Sequence, residues 1–103
     1  MMVRPNFQSV NIIGGNVVVT GESDPDEFDD VISIRVVLVQ EDVSDGGNAD
    51  LEQQRRRAAL DPNWSVTFTN GGFKPGPAVA FGIQTHRENF LTLTWAESMT
   101  IGN

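Results

Sequence analysis

The stretch DDVISIRVVLVQED, Asp29 to Asp42, decides the fold class. Ile32, Ile34, Val36 and Leu38 recur at period two, and Ser33, Arg35, Val37 and Val39 fall between them. Successive side chains of a strand point to opposite faces, so this alternation predicts a long strand over Val31–Gln40 with one strongly apolar face. The other face is unusual. An ordinary solvent face would carry Thr, Lys or Glu where this one carries Val37 and Val39. With Val18 out of phase on its own strand, the two valines predict a sheet whose outer face is partly apolar, the mark of an interface.

The same signal extends to both sides. Upstream, SVNIIGGNVVVTG sets Gly14-Gly15 between two β-branched runs, and a Gly pair supplies the positive-φ positions of a tight hairpin turn. Strands are expected at about Val10–Ile13 and Val17–Thr20. Downstream, NWSVTFTNGG alternates Trp64, Val66 and Phe68 with Ser65, Thr67 and Thr69 and stops at Gly71-Gly72. FKPGPAVAFGIQTH opens on the turn signal Pro75-Gly76-Pro77 and continues with Val79, Phe81 and Ile83 on one face. NFLTLTWAESMTI places Leu91, Leu93 and Trp95 on one side, with Met99 and Ile101 continuing it.

The segment NADLEQQRRRAALDPN admits two readings. Good helix formers fill Leu51 to Leu60, with Asn48 or Asp50 as cap and Pro62 as stop. The apolar face of such a helix is thin, however, and a strand over about Gln54–Leu60, turning at Asp61-Pro62-Asn63 into the Trp64 strand, is preferred. GESDPDEFDD and EDVSDGGNAD read as linker-like loops. Six or seven short strands separated by turn signals, with no strong helix, predict an antiparallel β-sandwich; a closed barrel is the runner-up. At 103 residues the chain, 1–103, has room for a single domain with one core.

In this pattern the chain resembles the bacterial immunoglobulin-like or fibronectin-type-III-like modules of surface and secreted multidomain proteins. The carriers are NVVVTGESD as a second strand running into a loop, VISIRVVLVQ as a long third strand, RAALDPNWSVTFT as a hairpin into a Trp strand, and FKPGPAVAFGIQTH after it. The likeness covers about residues 10–101. With no Cys and no Tyr, the chain lacks the inter-sheet disulfide and the tyrosine corner of antibody domains. The resemblance implies an immunoglobulin-like sandwich and a role in spacing, adhesion or docking.

Composition narrows the partners. Fourteen acidic against seven basic residues give a net charge of −7, which repels phosphate and argues against nucleic acid and anionic membrane. The lack of cysteine excludes thiolate metal sites and a Cys nucleophile. No apolar run is long enough for a signal-peptide core or a spanning helix, so a soluble chain not exported by the usual route is expected, unless it is a domain cut from a larger secreted protein.

Four groups could carry chemistry. Six carboxylates crowd Glu22 to Asp30, and Asp24, Asp26, Asp29 and Asp30 are candidate ligands for calcium, a hard cation that takes oxygen donors from flexible loops. Their spacing does not match the EF-hand pattern, and a solvated loop is the preferred reading. His86 is the sole imidazole; Thr85 or Ser98 could be invoked as a nucleophile, but no catalytic motif frames either, and a solvated turn histidine is expected. Arg55-Arg56-Arg57 could grip an anion, yet on a strand Arg56 would point away from its neighbours, and pairing with the chain's own carboxylates is preferred. Trp64 and Trp95 share the phase of apolar neighbours, which makes them core residues before sugar-stacking platforms. The expectation is a non-catalytic structural or protein-interaction module that binds a protein partner or itself. A calcium- or carbohydrate-binding module on the same scaffold is the alternative.

Overall fold

The computed structural model describes residues 3–26, 28–53 and 62–103. Seven strands follow one another: β1 Asn6–Ile13, β2 Asn16–Glu22, β3 Val31–Gln40, β4 Val43–Asp50, β5 Asn63–Thr69, β6 Gly76–His86 and β7 Thr92–Gly102. The β1–β2 turn falls at Gly14-Gly15, with Gly14 at φ 61°, a conformation that costs glycine no Cβ clash. Two 3₁₀ turns, Phe28–Asp30 and Glu88–Phe90, precede β3 and β7.

All seven strands join one sheet in the order β4-β3-β6-β7-β1-β2-β5. Every pairing is antiparallel except β1 with β7, which run parallel through Val10–Ile101 and Asn11–Gly102. Here the structure departs from the expected antiparallel sandwich. The sheet is single and mixed because β1 hydrogen-bonds along both of its edges, to β2 on one side and β7 on the other. Its curl brings the two ends close: a Cβ placed on Gly47 of β4 would lie 3.0 Å from Val66 Cγ1 of β5. The result is nearly a barrel, left open between β4 and β5.

One core fills the interior. Ile34, Val36 and Leu38 of β3, Val17 and Val19 of β2, Trp64 and Val66 of β5, and Trp95 and Ile101 of β7 are all buried in it. Trp64, Val66 and Phe68 face inward and Ser65, Thr67 and Thr69 outward, as their alternation predicts. At the start of β3 the register against β6 shifts between Val31 and Ser33, so Val31 is buried and Ile32 only half-buried. The expected linker EDVSDGGNAD supplies β4. Asp and Gly are poor strand formers, but residues 43–50 pair with β3 from Val43–Gln40 to Asp50–Ser33. Residues 51–53 are helical, and the Asp50 carboxylate caps them by accepting from the Gln53 N–H at 3.0 Å. The strand expected over Gln54–Leu60, and the Arg55–Arg57 cluster with it, lie outside the described residues. No helix among the described residues is long and apolar enough to cross a membrane.

Candidate functional site: the outer face of the sheet

Strand β6 carries the most informative departure from the sequence pattern. Its inward positions are Ala78, Ala80, Gly82, Gln84 and His86, while the larger apolar residues Val79, Phe81 and Ile83 point outward. The cause is Trp95. Its indole lies across β6, where a Cβ on Gly82 would come within 2.4 Å of the ring, so at Gly82 the core leaves β6 no room for a side chain. The apolar bulk of β6 is therefore displaced to the surface.

There it meets the outward side of β3. Register pairing sets the side chains in rows across β4, β3, β6 and β7: Ser44, Val39, Val79 and Ser98, then Gly46, Val37, Phe81 and Ala96, then Asn48, Arg35, Ile83 and Thr94. Val37, Val39, Val79 and Ile83 are half-buried, and Phe81 keeps 45% of its surface exposed. In a chain of net charge −7, these twelve positions hold one charged side chain, Arg35, and no carboxylate. Beside Phe81 the face sinks into a shallow hollow lined by Phe81, Ile83, Thr94 and Ala96, with Gly82 and Trp95. Val18 does not join this face, since it pairs with Asn11 and Thr67 on the far strands of the sheet.

The other candidates are dispersed or buried. Asp24 is half-buried and Asp26, Asp29 and Asp30 are exposed. The Asp24 carboxylate accepts the Asp26 N–H at 2.9 Å, a local turn bond. Among the described residues no group of three His, Cys, Asp or Glu side chains is gathered to hold a metal ion. A ligand that binds only the native state raises its melting temperature. Melting curves in calcium, in magnesium and in chelator are expected to superimpose, and a rise in calcium beyond that in magnesium would assign a site to the loop.

His86 is not the solvated turn residue expected; it is buried at the end of β6. Its Nε2 lies 2.9 Å from Gln84 Nε2, and the same amide nitrogen donates to the Val3 carbonyl at 3.2 Å. With the ring proton on Nδ1, the imidazole Nε2 accepts the amide N–H of Gln84. Thr85 lies on the opposite face of β6, and Ser98 pairs with Val79 at the other end of that strand. Neither hydroxyl is brought to the imidazole. Trp64 and Trp95 are 3% and 8% exposed and pack around Phe7, at centroid distances of 5.9 and 5.1 Å, with no open indole face for a sugar. Among the described side chains, the rings that do reach solvent are Phe81 and Phe90.

No protein-family model, curated protein or solved structure matches this chain. What the molecule does must be argued from its own surface.

Proposed function

We propose that the chain is a non-catalytic protein-interaction module of immunoglobulin-like type, whose contact surface is the outer face of β3 and β6. One observation carries the proposal: Phe81 stands 45% exposed in a row with Val37 and next to Val39, Val79 and Ile83. Exposing this much contiguous apolar surface has a cost in water that a partner removes. The immunoglobulin-like reading draws support from the hydrogen bonding. The parallel link between β1 and β7 is only two residue pairs long, whereas the antiparallel ladders on either side are long. Taken there, the sheet divides into β4-β3-β6-β7 and β1-β2-β5, two antiparallel layers whose inward residues share one core.

The valines provide the test. Val37→Thr with Val39→Thr keeps the β-branched shape and strand propensity while adding hydroxyls. The double variant is expected to stay folded, losing less than about 1 kcal/mol in denaturant unfolding, as surface changes do, and to bind its partner more weakly. Collapse of the fold would assign both valines to the core and overturn the reading.

A further inference from the structure

His86 and Gln84 form a buried polar pair on the inner side of β6, away from the outer face. Gln84 is 1% exposed, and its one amide nitrogen serves two groups: it donates to the Val3 carbonyl at 3.2 Å and lies 2.9 Å from His86 Nε2. A carbonyl can only accept, so Val3 fixes which end of the amide faces both groups. The amide oxygen, Gln84 Oε1, is buried without a hydrogen-bond partner among the described residues. In the sheet order β7 lies between β6 and β1, so the Gln84–Val3 bond reaches past β7 and ties the segment ahead of β1 to the end of β6. Only an imidazole with an unprotonated Nε2 can share that nitrogen.

We propose that this cluster is a proton-operated latch on the segment ahead of β1. With Nε2 of His86 unprotonated, both hydrogens of the Gln84 amide nitrogen have acceptors, and Val3 is held. A proton on Nε2 sets N–H against N–H across the 2.9 Å contact. Turning the amide over restores a bond to the imidazolium, because Oε1 then accepts from it, yet the same oxygen now opposes the Val3 carbonyl. Attraction becomes repulsion, and Val3 loosens from β6. The latch is therefore closed while His86 is neutral and opens as pH falls and the ring takes up its proton. The charged residues on the elements packed around His86 are Arg4 beside Val3, Asp29 and Asp30 in the turn before β3, Arg87 and Glu88 in the turn after β6, and Glu52. All six are exposed, Arg4 pairs with Glu97 of β7, and Arg87 pairs with Glu52 at 3.0 Å. No charged side chain among the described residues bonds to the imidazole, whose printed partner is Gln84 alone. The ring is thus the group that switches, and the Arg4–Glu97 pair keeps the start of β1 in place while Val3 moves.

Nuclear magnetic resonance across the range in which histidine changes charge, from about pH 8 to about pH 5, tests the latch. The His86 ring, the Gln84 side-chain amide and the Val3 backbone amide are expected to shift with one shared midpoint, while circular dichroism shows the sheet intact throughout. Gln84→Met keeps an unbranched side chain of similar size and removes the relay. In that variant His86 should still titrate, and the Val3 response should be lost. A wild-type Val3 signal that stays fixed while His86 titrates would overturn the proposal, as would an imidazole that takes up no proton before the sheet unfolds. A Val3 response that persists in Gln84→Met would also overturn it, by assigning the response to another titrating group. Should Gln84→Met not fold, the wild-type titration decides by itself.

Discussion

Replacing either Trp64 or Trp95 by alanine is expected to cost about 3–5 kcal/mol, the range for large aromatic deletions in cores. That is much of the stability of a domain this size, commonly about 5–15 kcal/mol. Both indoles are buried, and Phe7 lies between them, edge-on to Trp64 at 74° and tilted 33° to Trp95. Deleting one ring opens a cavity and strips Phe7 of one of its two aromatic neighbours. Because both indoles lean on Phe7, the double variant should depart from the sum of the single ones. Phenylalanine separates packing from polarity. Trp64 Nε1 and Trp95 Nε1 are buried without a hydrogen-bond partner among the described residues, so a ring lacking the N–H gives up volume but no bond. Trp→Phe at either position should therefore cost much less than Trp→Ala. Equilibrium denaturation of the four variants checks both statements, and alanine losses under about 1 kcal/mol would mean that these rings do not hold the core.

How far the fold could be read from the sequence depended on what opposes each strand. The alternation of Trp64, Val66 and Phe68 gave the buried face of β5 correctly, because one side of that strand meets the core and the other meets water. The same logic does not work on β6, where apolar and small residues alternate. There the larger apolar side chains point outward, and a tryptophan from the neighbouring strand already fills the inner volume at Gly82. A single-strand pattern cannot register a ring supplied by another strand. The register shift that buries Val31 in place of Ile32 is equally silent in the sequence. Strand β4 was missed because its Asp and Gly residues have the composition of a loop; long pairing with β3 outweighs that preference. Of the apolar residues on the outer face, Val37 and Val39 were legible as valines out of phase. Their companions Val79, Phe81 and Ile83 became visible only when the phase of β6 was known.

Two glycines that look unremarkable in sequence are expected to tolerate no side chain. Gly→Ala within a strand ordinarily gains about 0.5–1 kcal/mol by restricting the unfolded chain. At Gly82 the new Cβ would fall 2.4 Å from Trp95 Cη2 and Cζ2, and at Gly21 it would fall 2.2 Å from Trp64 Cζ2 and 2.6 Å from the Asn6 carbonyl oxygen. Both clashes are far inside van der Waals contact, and the sign of the effect reverses. Overpacking of this kind costs about 1–3 kcal/mol and sometimes more, and Gly21→Ala should be the worse because a backbone oxygen cannot rotate away. The cause can be isolated with second-site changes. The contacting carbons belong to the benzo ring of tryptophan, which phenylalanine lacks. Gly82→Ala should therefore cost markedly less in a Trp95→Phe background than alone, a coupling that a double-mutant cycle measures directly. Gly21→Ala in a Trp64→Phe background should be relieved only in part, since the Asn6 carbonyl remains in place. Equal penalties with and without the indole would show that the rings do not set the need for glycine at these positions, and the account of β6 turning its apolar residues outward would lose its cause.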